Sequence, residues 1–354
     1  MNADRYSLIV PPATEALGPS PSSLASLAST DQAKSASRAG HQPVLLAEAV
    51  ASLRPHDGGV YFDGTFGGGG HTRALLDASA PTGRVVALDA DPAARARAEA
   101  LRDEGAYGHR LQFMQENFAD LSSLRECNRW PLFDGVLLDL GLSSFQLDDP
   151  ARGFAFRFDG PLDMRFDPTS GPSAADVVRD LDEADLAALL LRFGEEPRHR
   201  RIARAVVRER ARAPITTTAR LAAIVDDAVG GRRGAPTHPA TRTFQALRIA
   251  VNGELDALET GLGAAIAALK PGGRLAVIAF HSLEDRIVKR AIEAAAATCV
   301  CPPEQPVCTC DTRPTLRKIG KPIRPDEVER MSNPRARSAI MRVAERTDAA
   351  PEAR

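Results

Sequence analysis

The sequence predicts an α/β fold, a parallel sheet covered by helices and interrupted by an all-helical segment, and three observations carry that reading. Five short apolar runs have strand length and end at Asp, Gly or His. Helix-length segments separate them, the spacing of βαβ units whose sheet is buried on both faces. The fourth and fifth runs then stand about 130 residues apart, far more than one crossover helix needs, so something is inserted between them.

Taken in order, residues 1–40 are rich in Ser, Ala and Pro without periodicity, the composition of a disordered tail, and residues 347–354 form a second short tail. The expected strands are Val60-Tyr-Phe62, Arg84–Leu88, Leu111–Met114, Phe133–Leu138 and Gly273–Phe280. Residues 148–239 carry helical patterns over Ser173–Phe193, Arg198–Arg210 and Thr218–Val229 and no convincing strand. Charge is polarised there: Gln146–Leu191 holds ten acidic and four basic residues, whereas Arg192–Arg248 holds thirteen Arg and five acidic residues. Apolar residues near helical spacing predict one long helix over Thr243–Leu269, stopped by Lys270-Pro-Gly-Gly273.

With 354 residues, 44% hydrophobic and 26% charged, the chain excludes collagen-like and wholly disordered classes, and no apolar run approaches the roughly 20 residues of a membrane span. Lys plus Arg (45) nearly cancels Asp plus Glu (46), so any nucleic-acid-binding surface must be local. Five cysteines are too few for a disulfide scaffold of this size, and no secretory signal pattern opens the chain; a cytoplasmic protein is expected.

The sharpest local signal is Tyr61-Phe-Asp-Gly-Thr-Phe-Gly-Gly-Gly-Gly-His71, a strand ending in Asp63, a glycine turn and a helix start. Glycines let a backbone approach a ligand closely, and the helix start offers free N–H groups. A phosphate loop would need Lys and Ser or Thr after Gly70, where His71 stands. A dinucleotide fingerprint would need a third glycine where Thr72 and Arg73 stand, which counts against a nicotinamide-dependent oxidoreductase. A nucleoside ligand without phosphates tolerates both departures. It also explains Asp89, about 20 residues after the glycines, as acceptor for a ribose diol, and Asn117-Phe118 as a polar group and a ring against a base. S-adenosylmethionine fits this arrangement; the competing reading is a mobile glycine loop with Asp89 as a helix cap.

The chain also resembles the bacterial small-subunit ribosomal RNA methyltransferase H (MraW) family. The resemblance rests on His41-Gln-Pro-Val-Leu-Leu46, Asp63-Gly-Thr-Phe-Gly-Gly-Gly-Gly-His-Thr72, Leu138-Asp-Leu-Gly-Leu-Ser-Ser-Phe-Gln-Leu-Asp-Asp149, Arg152-Gly-Phe154, Asp159-Gly-Pro-Leu-Asp-Met-Arg165, His238-Pro-Ala-Thr-Arg-Thr-Phe-Gln245, Phe280-His-Ser-Leu-Glu-Asp-Arg-Ile-Val288 and Asn333-Pro-Arg-Ala-Arg-Ser338, in order along the chain. It implies a class I (Rossmann-like) methyltransferase sheet with an inserted helical subdomain: a catalytic domain over 41–147 and 240–346, and substrate recognition over 148–239. It implies methyl transfer from S-adenosylmethionine to N4 of a decoding-centre cytidine in 16S rRNA. Cofactor contacts carry over onto Gly69, Gly70, His71, Asp89, Phe118, Asp139 and Gln146. The small ribosomal subunit is the implied partner, with no membrane, for a monomer or homodimer. The tail and the stretch Cys299–Cys310 lie outside the matching blocks.

An exocyclic cytosine amine is a poor nucleophile, so positioning and acceptors for its hydrogens must supply the gain. Asp139, at the end of the fourth strand, is the expected acceptor; Ser143 and, more weakly, Ser144 follow it. His281, after the fifth strand, could take the departing proton or cap that strand. Asp163 and Arg165 could serve the site or pair with each other. Arg201, Arg204 and Arg208 recur at helical spacing opposite Ile202 and Val206, a basic face suited to phosphates or to solvent, and Arg232, Arg233, Arg242 and Arg313–Arg337 extend it. With few aromatics for stacking, a single flipped cytosine in a pocket is expected. Cys299, Cys301, Cys308 and Cys310 could hold zinc, although their spacing lacks the usual two-residue gap, or could be free thiols in a loop. A non-catalytic RNA-binding module and a methyltransferase acting on DNA or protein are the remaining alternatives.

Overall fold

The computed structural model describes residues 43–349 except 105–106, 233, 235–236, 303–304 and 306. The expected tail at 1–40, the end of the chain from 350, and Arg233 therefore lie outside the described residues. Helix α1 (Leu46–Leu53) precedes alternating strands and helices: β1 (Val60–Asp63), α2 (Gly70–Ala78), β2 (Arg84–Leu88), α3 (Ala94–Asp103), β3 (Leu111–Met114), α4 (Leu121–Cys127) and β4 (Phe133–Asp139). The short α5 (Ser144–Asp148) leads into four helices, α6 (Ala174–Asp180), α7 (Glu183–Gly194), α8 (His199–Arg210) and α9 (Thr218–Val229). The chain returns through α10 (Thr241–Asn252) and α11 (Glu254–Ala267) to β5 (Leu269–Ala279). It ends with α12 (Ser282–Ala295), β6 (Leu316–Lys318), α13 (Glu327–Ser332) and β7 (Ile340–Arg346).

The strands form one sheet in the order β3-β2-β1-β4-β5-β7-β6. Strands β1 to β5 run parallel, and β7 is antiparallel to both β5 and β6. This is the Rossmann-like α/β sheet expected from the sequence. Alternation along each strand fills both faces: Val85, Ala87 and Leu137 pack on one side, Val86, Leu88, Val136 and Leu138 on the other. Strand order reverses between β1 and β4, which leaves a crevice at their carboxyl ends, the place where open α/β sheets hold ligands.

The four-helix stretch after β4 has its own apolar core, including Leu186, Leu190, Ile202, Val206, Leu221 and Val225. That core continues past residue 239, because Phe244 and Leu247 of α10 belong to it. Two expected helices are each broken in two. Ser173–Phe193 is interrupted at Leu181, whose backbone is extended, and Asp182 caps α7 by accepting from Asp185 N at 2.8 Å. Thr243–Leu269 is interrupted at Gly253, whose φ of 58° favours glycine and ends α10. Lys270–Gly273 lies inside β5, at a register shift between Phe133 and Gly135, instead of preceding the strand. Strands β6 and β7 escape sequence reading because one is three residues long and the other is interspersed with arginine and glutamate. No helix among the described residues is long and apolar enough to cross a membrane.

Candidate active site

The turn after β1 is built around a buried carboxylate. Asp63 accepts from Thr72 Oγ1 (2.6 Å) and from Thr65 N (3.1 Å), and burial pushes its carboxyl up despite these bonds. Gly69, at φ 78°, caps α2 in the left-handed region that side chains rarely adopt, which turns Gly70 and His71 into the first turn of that helix. Asp89, just beyond β2, closes the loop from the other side: its carboxylate accepts from Gly67 N (2.6 Å) and Asp91 N (2.9 Å). Burial outweighs those donors and pushes Asp89 up to about 6.

Asp139 ends β4 with its N–H donated to Thr65 Oγ1 at 2.7 Å, so the glycine turn and β4 hold each other. One carboxylate oxygen, Oδ2, stands 3.5 Å from His71 Nε2, while Oδ1 is buried without a hydrogen-bond partner. His71 is itself 5% exposed; burial alone would lower its pKa, but the Asp139 carboxylate beside it raises it overall. Both nitrogens of this imidazole lack a hydrogen bond of good geometry. Such a pair of under-satisfied buried groups is costly, which makes this a candidate ligand site.

Ser143 and Gln146 are tied into the local fold. Ser143 caps α5, accepting from Gln146 N, and Gln146 Oε1 accepts from Ser143 N at 3.0 Å. The Gln146 amide donates to Asp91 Oδ2 (3.0 Å), and Arg152 Nη1 donates to the same oxygen (2.8 Å) while its Nη2 reaches the carbonyls of Arg165 and Phe166. Asn252 holds that second segment from α10, accepting from Phe166 N (2.7 Å) and donating to Met164 O (2.8 Å). A network thus runs from the end of β2 into the helical region. Asp91 and Asn252 did not stand out in the sequence, because their role depends on partners 55 to 88 positions away.

One cavity is lined by Gly70, His71, Asp89, Phe118, Asp139, Ser143 and Gln146. Gly69 sits in the turn behind this wall, and His281 beside it: Phe280 and Glu284 face the cavity, while His281 Nδ1 accepts from Glu284 N (3.4 Å) as the cap of α12. Glu284 is buried, accepts from Phe280 N (2.8 Å) and lies 3.0 Å from His281 Nε2. Burial works to raise its pKa, but the His281 contacts hold it below the ordinary range. Two further wall residues were not singled out from sequence, Glu254, paired at 2.8 Å through both oxygens with Arg248, and Phe166; Arg335, expected only as part of the basic stretch Arg313–Arg337, also lines the wall and donates to Ser144 Oγ. Burial lowers the Arg335 pKa while the Asp139 charge opposes this, which places a cation near the cavity carboxylate.

Asp163 and Arg165 pair with each other, at 3.0 and 2.6 Å through both carboxylate oxygens, and stiffen their loop. Arg201, Arg204 and Arg208 project from α8 into solvent opposite buried Ile202 and Val206, as the periodicity required. Arg242 is exposed on α10 and donates to Glu195 O at 2.9 Å. Cys299, Cys301, Cys308 and Cys310 come together in the connection between α12 and β6. None of these eight arginines and cysteines lines the cavity.

The sequence pattern of the MraW methylase family matches residues 38–347. Ribosomal RNA small subunit methyltransferase H of Thermomicrobium roseum is 57% identical to this chain over 307 residues, 86% of this chain and 93% of that protein. Proteins of the same name from Syntrophotalea carbinolica and Azorhizobium caulinodans are 49% identical over 308 residues and 51% identical over 312. The first covers 86% of this chain and 98% of its own length, the second 88% of each.

Proposed function

Because the chain belongs to the MraW methylase family, with S-adenosylmethionine as its cofactor, we propose that it methylates the N4 amine of a decoding-centre cytidine in 16S rRNA. The observation that carries the reading is the meeting of the glycine turn, Asp89 and the under-satisfied Asp139 at one cavity. The donor set suits the cofactor: Asp89 for a ribose diol, Phe118 for a base, and the Gly69–Gly70 turn with His71 and Gln146 around the remainder. When bound, S-adenosylmethionine supplies a methyl group on a sulfonium centre.

What the chain contributes is position and acceptors. Asp139 Oδ1, which has no hydrogen-bond partner, is the acceptor for an N–H of the cytosine amine, which holds the amine in line and localises its lone pair. The same oxygen takes the proton that the amine sheds once the carbon–nitrogen bond is made. His71, whose protonated form Asp139 favours, fixes the opposite face of that carboxylate. Ser143 shapes the rim through its cap. His281, the cap of α12, keeps Glu284 ionised at the cavity wall. Residues 148–239 serve as the substrate-recognition region, with Arg201, Arg204, Arg208 and Arg242 as contacts for RNA phosphates. The reaction is expected in the cytoplasm, where ribosomal subunits are assembled.

The test is transfer of labelled methyl from S-adenosylmethionine to small ribosomal subunits isolated from cells lacking this protein, followed by nucleoside analysis. Label in N4-methylated cytidine, lost with Asp139→Ala in a folded protein, supports the proposal. Label in another nucleoside overturns the N4 assignment, and no label in RNA with cofactor binding intact overturns the substrate.

A further inference from the structure

The connection from α12 to β6 is a long excursion away from the sheet. Its neck is closed where Thr315 N donates to Ala295 O (2.8 Å) and Thr347 N to Thr315 O (3.0 Å). Beyond the neck, Val300 and Val307 are 68% and 69% exposed, and none of the segment's described residues is buried. The four cysteines nevertheless converge, all Sγ atoms lying within 4.8 Å of one another. Cys299–Cys308, Cys308–Cys310, Cys299–Cys310 and Cys301–Cys308 are separated by 3.6, 3.5, 3.7 and 3.9 Å.

Those separations have a geometric meaning. A tetrahedron with metal–sulfur bonds of about 2.3 Å has edges of about 3.8 Å, whereas a disulfide brings two sulfurs to about 2.05 Å. The Cys-x-Cys spacing fits as well as the commoner two-residue gap, because residues i and i+2 of an extended chain point to one side. Cys299 and Cys301 form one such bite, Cys308 and Cys310 the other, with Val300 left facing outward. Two backbone donors aim at the sulfurs, Val300 N to Cys310 and Cys301 N to Cys299, each at 3.4 Å. Such N–H groups offset the negative charge of metal-bound thiolates.

We propose that Cys299, Cys301, Cys308 and Cys310 form a structural tetrathiolate zinc site. Four protein ligands complete the tetrahedron and leave no open position, so the site orders the loop and does not enter the reaction. Each thiol gives up a proton on binding, and the binding free energy orders a segment whose described residues are not buried. Clusters of iron and sulfide need their thiolates farther apart than the distances found here. The proposal is independent of the substrate assigned above.

The test uses the full chain, purified under reducing conditions without added metal, with metal content measured by plasma mass spectrometry. One equivalent of zinc per chain is expected, lost in both Cys301→Ser and Cys308→Ser while S-adenosylmethionine affinity and the circular dichroism spectrum stay unchanged. Wild-type protein stripped and refilled with Co²⁺ is expected to show the visible bands of a tetrahedral cobalt tetrathiolate, a readout that does not depend on the variants folding. Absence of those bands, zinc that survives both substitutions, or a disulfide among the four cysteines in freshly reduced protein would overturn the site. Stoichiometric iron would overturn the assignment to zinc.

Discussion

The carboxyl edge of the sheet and the helical region beyond it treat charge in opposite ways. At the sheet edge Asp63, His71 and Asp91 are buried, and the partly buried Asp89 and Asp139 line the cavity. In the helical region the core is aliphatic and aromatic, and Arg201, Arg204 and Arg208 stand in solvent. A buried charge is expensive unless donors surround it, and it acts strongly over a few ångströms. An exposed charge costs little, is screened by salt and acts on a polyanion as one of many. The first arrangement suits chemistry on a single amine; the second suits holding a phosphate backbone.

Substitutions on the two sides should therefore fail in different ways. The largest effect is expected for Asp139→Ala, which removes the buried acceptor: single-turnover methyl transfer should fall by about 10²- to 10⁴-fold, the range typical of a positioned acid or base. If instead Asp139→Ala weakens only cofactor binding and leaves the rate at saturation intact, Asp139 serves the cofactor alone.

Arg152→Ala should fail through stability. It leaves Asp91 buried with the Gln146 amide as its remaining side-chain donor, and loss of one partner of a buried ion pair costs about 3–5 kcal/mol. Chemical denaturation measures it, and Arg179→Ala, which breaks the exposed pair with Asp176, supplies the control and should leave the midpoint nearly unchanged. A smaller loss at Arg152 than at Arg179 would reverse the contrast between interior and surface.

Replacing Arg201, Arg204 and Arg208 together by Gln should leave the rate at saturating RNA intact. It should weaken RNA binding about 100-fold at 0.1 M salt, since each phosphate contact on a single strand contributes about 0.7 to the logarithmic salt slope. A slope unchanged by the triple substitution would mark this face as solvated only.

Much of this arrangement is legible in the residues themselves. The glycine turn, Asp89 and Asp139 stand at strand ends, so the sheet topology alone gathers them, and the arginine face of α8 follows from its period. The helix breaks at Leu181 and Gly253 were not legible, because one depends on a side-chain cap and the other on a backbone angle within otherwise helical patterns. The wall residues Glu254, Phe166 and Arg335 come from segments far apart in sequence; Phe166 and Arg335 are held by partners 86 and 191 positions away, and Glu254 by Arg248 across the break at Gly253. His281 shows the limit of motif reading: its place after β5 was foreseen, but the same position makes it the cap of α12.

The smallest effect is the most specific probe of the buried side. Above pH 6 or so the Asp89 carboxylate is ionised and has lone pairs left for a ribose diol beyond those given to Gly67 and Asp91. Below that point it takes a proton and one acceptor is lost. One unit lower about a tenth of the protein keeps the ionised form, so S-adenosylmethionine affinity should fall roughly tenfold, as isothermal titration would show. In Asp89→Asn the affinity should be weak and flat across this range. Stability moves the other way: with its pKa raised from 3.8 to about 6, the native group binds more protons than the unfolded one between these values, so its contribution to stability falls as pH rises through that window. Thermal shifts would mix the two opposed effects, which is why binding must be measured directly. An affinity independent of pH in the wild type would remove Asp89 from the cofactor site and leave it as a brace between Gly67 and Asp91.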